Sequence, residues 1–569
     1  MKRILFFLYL VLIFNLSCEK EDPSTNKGDL ETATYNATTK SFTLEYNSGY
    51  KKSVSAVIDN SVSPPSASAT LDDGTVVYTL NADTSGEAII ATSDVISNYK
   101  YVNKWIYENM SVYYLWNDKL SKNPNYILYP KDFFNSILYK YNATSNPYGD
   151  RFSWIQEDYK ELLGNLSGVS SDEIGFEYIF VWADQAKTHY YALVLYPKHG
   201  TDAEAKKIDR GRFVTKINDQ NITPGNYRDL FGGTGSKKLT MADWKLDSSV
   251  GPEDEGYPEY ILTNSGDVNI LMHRNFAENP VYRDSVYTIG DQKIGYLVYN
   301  FFARDKGDKS NDYDKLLMNR LQNLQSQGID EMVLDLRYNS GGAVSSAIAL
   351  ASALVKDRST SNVLTTSQYN SIVHNSLLKE YGANYNKDYF IDMIEGTKIP
   401  IPSLNLPRLY VLTSGWTASA SEFIINGLKP YMDVVLIGET TYGKNVGSIS
   451  IYEENDSKNK WGMQPIIVRY ANSLGQSDFT SGFLPNYEVD EFKDLYLVDF
   501  GNTNDPLLGK ALSLITGQTL FTRATSVINT QFRSSQIDEK ASIKLRQNKL
   551  SFEMYDDVRG DIIKSTIKK

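Results

Sequence analysis

Between residues 285 and 500 the chain alternates short, unbroken apolar runs with helical patterns. Lys293–Phe302, Met332–Leu336, Leu409–Leu412 and Val434–Ile437 are apolar runs bounded by turn residues, the pattern of strands buried on both faces. Tyr313–Gln325, Ala343–Val355 and Ala418–Leu428 lie between them and read as helices. Strand–helix alternation predicts an α/β core.

Composition narrows the classes of function. Of the 569 residues, 41% are apolar and 22% charged, which excludes a disordered or fibrous chain and predicts several domains. Lys and Arg total 58 against 69 Asp and Glu, so the net charge of −11 repels a phosphate backbone and nucleic acid is not an expected partner. A single cysteine, Cys18, excludes an intrachain disulfide framework and a Cys-rich metal site. Four histidines leave little for His-based chemistry. No metal ion or other cofactor is expected. The 41 tyrosines fit large β-rich surfaces, or sugar stacking.

The flanking regions differ in period. Residues 31–95 read as a small β module: Ser41–Tyr46 alternates, and Asp73-Gly74 before Val76–Leu80 is a hairpin turn. Residues 61–68, with Pro64-Pro65, read as a loop within it. Residues 96–165 read as a helical segment, with Val102, Ile106, Met110 and Tyr113 on one stripe and a second helix opening at Pro130. Residues 166–275 return to strands, including Ile174–Phe180 and Tyr191–Tyr196. The core occupies 276–515, and 516–569 reads as a peripheral C-terminal segment.

Three clusters in the core carry chemistry. In Leu334-Asp335-Leu336-Arg337-Tyr338-Asn339-Ser340-Gly341-Gly342 a buried strand meets a glycine pair and then a helix. Such a turn brings backbone N–H groups close to a ligand, or is simply tight. Thr413–Glu422 again joins a strand to a helix, and a Ser there is a cap or a nucleophile facing helix amides. Gly438–Lys444 places a Lys after a strand and a glycine turn. That Lys is a solvated charge, or a general base if it is buried among apolar or cationic neighbours.

In this order the clusters resemble those of the carboxyl-terminal processing peptidases, or tail-specific proteases. That family pairs a Ser–Lys dyad with a crotonase-like (ClpP/crotonase) α/β core and an inserted PDZ-like domain. The Leu-Asp-Leu-Arg…Gly-Gly motif matches at 334–342, the Ser-Ala-Ser-Glu motif at 419–422, and Lys444 follows Ser419 by 25 residues. The resemblance implies Ser419 as nucleophile and Lys444 as general base. It implies an oxyanion held by the N–H of Ala420 and one from the Gly341-Gly342 turn. Glu422 and Thr441 match supporting positions. Ser448 stands where many members carry a Gln that orients the Lys. None of His189, His199, His273 and His374 falls in the clusters, so a Ser–His–Asp triad is not expected.

Gly200–Ala205 and Arg210–Asp219, after the strand at 174–180, resemble a bacterial PDZ domain, with Arg212 in place of an Asp and Asp219 in place of a Gly. The implied peptide-binding loop is Glu173, Ile174, Gly175 and Phe176, whose amides would take a C-terminal carboxylate.

At the N-terminus, Lys2 and Arg3 precede the eleven apolar residues Ile4–Phe14, too short to span a bilayer and fitting a signal peptide over 1–17. Leu16-Ser17-Cys18 resembles a bacterial lipobox, which implies lipidation at Cys18 and a lipidated tether over 18–30. Glu19-Lys20-Glu21-Asp22 resembles an export signal of Bacteroidetes lipoproteins. The combined expectation is a serine endopeptidase acting on polypeptides, attached to the outer membrane of the cell envelope only by its lipid, on the periplasmic or the outer face. Its rivals are an inactive peptide-binding scaffold and a surface glycan-binding lipoprotein.

Overall fold

The computed structural model describes residues 29–60, 65–249, 251–254, 259–518, 529–530, 532, 534–538, 540–542 and 554–568. The expected signal peptide and Cys18 lie outside the described residues. The chain divides into two compact units, 1–104 with 121–137, and 105–120 with 138–569. The expected helical segment 96–165 is therefore shared between the two.

The first unit carries two four-stranded antiparallel sheets. Its Ser41–Tyr46 strand points Phe42 and Leu44 into a core with Ala33, Tyr35 and Val77. Of the expected loop 61–68, residues 61–64 lie outside the described residues and Ser66–Thr70 is a strand. Ala67 and Ala69 face the core there, a small-residue alternation that scarcely registers as hydrophobic. The helix Ser93–Tyr113 begins in this unit, and the helix Pro130–Ile137 buries Phe133, Phe134 and Ile137.

In the second unit, a six-stranded sheet runs in the order Val281–Ile289, Gln292–Tyr299, Glu331–Asp335, Arg408–Thr413, Asp433–Gly438, Tyr487–Glu488. All its pairs are parallel except the first. Met332, Val333 and Leu334 are wholly buried, as a strand covered on both faces requires. The helices Asp312–Ser326, Val344–Leu354 and Ala420–Leu428 fill the connections. The fold is mixed α/β.

A second six-stranded sheet follows the order Gly342–Ala343, Met554–Tyr555, Val446–Ser448, Ile466–Asn472, Val363–Tyr369, Lys387–Tyr389. This corrects the reading of 516–569 as peripheral. Met554–Tyr555 pairs in parallel with the glycine turn on one side and with Ser448 on the other, and Met554 is wholly buried. A two-residue strand in a polar stretch leaves no periodic trace in sequence.

Residues 169–277 form a β-rich region. Its main sheet runs Phe176–Trp182, Tyr190–Pro197, Phe213–Ile217, Ser236–Leu246, Glu259–Leu271, with Asn529–Thr530 beyond. The strand expected over Ile174–Phe180 is broken at Gly175, where φ is +95°. One face of the sheet holds its own cluster, including Phe180, Tyr227 and Phe231. The other face, through Ile179, Val181, Leu193 and Phe213, joins the cluster that holds Val298, Val333 and Leu412 of the central sheet. Trp154–Gln156, read as helical, is a strand paired with Gly462–Gln464. Among the described residues no helix is long and apolar enough to cross a membrane.

Candidate active site

Two strand–helix junctions of the central sheet are clamped together by short polar side chains. Ser414 Oγ donates to the Arg337 carbonyl, Thr417 Oγ1 to the Leu336 carbonyl (2.9 Å) and Ser421 Oγ to the Asn339 carbonyl (3.1 Å). The small hydroxyl residues of the second cluster therefore hold the first cluster's turn in place. The distance is so short that a Cβ on Gly341 would lie 2.5 Å from Ser419 Cβ and 3.0 Å from Ala420 N. Only glycine fits there, and φ is +112° at Gly341 and +133° at Gly342.

The Arg337 end of this turn is locked by buried charge. The guanidinium donates to Asp335 (2.9 Å), Glu491 (2.6 Å) and Asp505 (2.7 and 2.9 Å). Arg210 of the β-rich region joins through Glu491 and the Tyr338 hydroxyl. Despite burial, the arginines hold Asp505 below the ordinary carboxylate range, while burial outweighs Arg337 at Asp335 and raises it. Removing one member would leave an uncompensated charge in the interior.

Ser419 is the residue before the helix Ala420–Leu428 and sits at φ +63°, a costly conformation for a non-glycine residue. It is wholly buried, and among the described residues its Oγ has no hydrogen-bond partner. Its N–H donates to Glu422 Oε2 at 2.9 Å. The same oxygen accepts the Lys444 N–H at 2.8 Å. Glu422 Oε1 accepts the Gly443 N–H (2.7 Å) and the Thr441 hydroxyl (2.6 Å). Burial pushes the Glu422 carboxyl up, and these four donors oppose that rise.

Lys444 is wholly buried, with Nζ 4.8 Å from the centre of the Phe152 ring. Beside it Arg151 donates to the carbonyls of Gly443 (2.7 Å) and Thr480 (3.0 Å), tying two loops together. Those loops meet backbone to backbone: a Cβ on Gly443 would lie 2.5 Å from the Thr480 carbonyl oxygen. Arg151 and Phe152 were missed in sequence. The turn residues Asn146-Pro147-Tyr148-Gly149 just before them mark a loop inside the segment read as helical.

Other expected residues land as follows. The Gly341 N–H turns inward onto Asn339 Oδ1 (2.9 Å), and Gly342 pairs in the sheet with Met554. Ser448 is wholly buried, its Oγ donating to the Met554 carbonyl (3.3 Å). Glu173, Ile174, Gly175 and Phe176 are all buried, and the Gly175 N–H donates to Glu173 Oε1 (2.9 Å). An internal carboxylate thus holds the Gly175 amide of the expected peptide-binding loop. The four histidines contact Asp184, Glu204, the Asp202 N–H and Tyr385, away from these clusters. Among the described residues no group of three or more His, Cys, Asp or Glu side chains is gathered as a metal site.

Comparison with known proteins points the same way. Residues 293–489 match the model of peptidase family S41, and 101–154 that of the peptidase S41 N-terminal domain. A carboxyl-terminal-processing protease of Picosynechococcus is 28% identical over 240 residues, 42% of this chain and 49% of that protein. A "Probable CtpA-like serine protease" of Staphylococcus aureus is 23% identical over 295 residues, 51% of this chain and 50% of that one. The chain thus spans about half the length of the curated relatives it matches. Among solved structures, a "Putative S41 protease" from Bacteroides fragilis NCTC 9343 superimposes with a TM-score of 0.58 at 27% identity, covering 73% of this chain and 97% of that one.

Proposed function

We propose that the chain is a member of the S41 family of carboxyl-terminal processing peptidases and a serine endopeptidase cutting polypeptides through Ser419 and Lys444. Ser419 Oγ attacks the peptide carbonyl as Lys444 Nζ takes its proton. The N–H of Ala420 and one from the Gly341-Gly342 turn receive the oxyanion at the start of the helix. The leaving amine takes the proton from Lys444, and water then hydrolyses the acyl-enzyme. Glu422 and Thr441 position the dyad, and Ser448 supports the strand that follows Lys444. The observation that carries this reading is the Glu422 carboxylate, which holds the backbones of both Ser419 and Lys444.

The same reading takes the core as crotonase-like and residues 166–275 as a PDZ-like insertion. Supporting it are the five antiparallel strands with the short helix Tyr227–Phe231 packed on them. Peptide selection then runs along a strand edge that begins at the Glu173–Phe176 loop. It also takes Cys18 as the lipidated residue of an envelope lipoprotein, on the motif in residues 1–22. The test is an unbiased peptide-library digest with the full chain and its Ser419→Ala form. Cleavage by the first alone is expected; equal cleavage by both would reject Ser419, and none by either would favour the inactive scaffold.

A further inference from the structure

Among the described residues the strand Phe176–Trp182 ends its sheet, and the one strand beside it is Tyr190–Pro197. An open edge of this kind recruits another extended segment. In this chain the recruit is a piece of its own C-terminal region. Val181 pairs antiparallel with Ile537. The Asp538 N–H donates to the Phe180 carbonyl (3.0 Å), and the Phe180 N–H donates to Ser542 Oγ (3.1 Å). The Tyr190 hydroxyl donates to Asp538 Oδ2 (2.9 Å). Ala541 packs on the cluster of Phe180, Tyr227 and Phe231, while Ile537 packs on the cluster shared with the central sheet.

We propose that this edge is a peptide-docking groove closed in cis by residues 534–538 and 540–542, and that an extended polypeptide of like chemistry opens it by displacing them. The seated segment defines that chemistry: a branched apolar residue, an acid directly after it for the Tyr190 hydroxyl, and a small apolar residue three positions further on. The inference rests on the reading of 166–275 as a peptide-binding insertion and adds its regulation. A tethered occupant competes at an effective concentration of order mM, so a free peptide at micromolar concentration meets a closed groove.

The test measures binding in the Ser419→Ala chain, so its outcome is independent of whether the protein cuts peptides. A fluorescent peptide of the sequence 534–542 is titrated against that chain and against the same chain carrying Ile537→Asp and Ala541→Asp. Loosening the cis segment is expected to tighten binding about tenfold or more. Amide exchange at Phe180 should quicken in the loosened chain and slow again on adding peptide. Ser542→Ala, a milder change, should give a smaller gain in the same direction. Equal affinities in all three chains, or exchange at Phe180 that ignores both the substitutions and the peptide, would overturn the proposal.

Discussion

The backbone N–H groups of Ser419 and Lys444 share a single acceptor, Glu422 Oε2, at 2.9 and 2.8 Å. Two residues 25 positions apart are thereby held in one frame by a carboxylate that itself makes no attack. Glu422→Gln replaces one accepting oxygen with an NH2 group facing two donors. Leaving buried donors unsatisfied costs about 1–3 kcal/mol. Turnover should fall on the order of 100-fold with KM little changed, and the melting temperature should drop by a few degrees. Steady-state kinetics alongside thermal denaturation checks this; a variant with wild-type kcat would remove Glu422 from the machinery.

Ser419→Ala and Lys444→Ala should each abolish peptide hydrolysis while leaving the fold intact. Nucleophile and base act as a unit, so the double variant should be scarcely worse than either single one. Near wild-type turnover in Lys444→Ala would show that another group accepts the proton.

A lysine accepts a proton only as the free amine, so kcat/KM should rise with pH through one ionisation. Lys444→Arg should be inactive across the range, since a guanidinium stays charged. A pH profile on a good peptide substrate decides: a rate that is flat or falls from pH 5 to 9 would falsify the neutral-lysine base.

Stability should run the other way with pH. Burial raises Asp314 and Asp556 from 3.8 to about 7 each. Between these limits the folded chain binds more protons than the unfolded one. The contribution is therefore full below about pH 4 and is lost as pH rises through about 7, up to ~4 kcal/mol for each group. Asp314 accepts from Ser346 Oγ at 2.7 Å, a bond that an amide can also accept. Asp314→Asn should flatten this slope in urea titrations made from pH 4 to 8, and an unchanged slope would count against the assignment.

Met554 sits between the glycine turn and the strand that follows Lys444. Met554→Asp puts a charge into that wholly buried seam and should destabilise the chain by more than ~3 kcal/mol. Hydrolysis should disappear with it. Proteolytic susceptibility and far-UV circular dichroism read the effect; a chain as resistant as wild type would mean the seam is dispensable.

Wherever structure is local, it was legible in the residues. Alternation placed the strand Ser41–Tyr46, unbroken apolar runs placed Glu331–Asp335 and Arg408–Thr413, and helical spacing placed Ala420–Leu428, because burial on one face or two imposes its period on neighbouring positions. The candidate residues Ser419, Lys444 and Glu422 were named from the resemblance of their motifs to those of a peptidase family, since the motifs are local runs at strand–turn–helix or strand–turn junctions. What needed the tertiary structure is what joins distant segments. The four donors on Glu422 come from residues 419, 441, 443 and 444. Phe152 reaches Lys444 from a stretch that reads as helix, and the two-residue strand Met554–Tyr555 completes a sheet from a stretch that reads as peripheral. No periodicity encodes such contacts, since a hydrogen bond or ring contact across hundreds of residues depends on where the whole chain has folded and leaves no mark on the residues beside it.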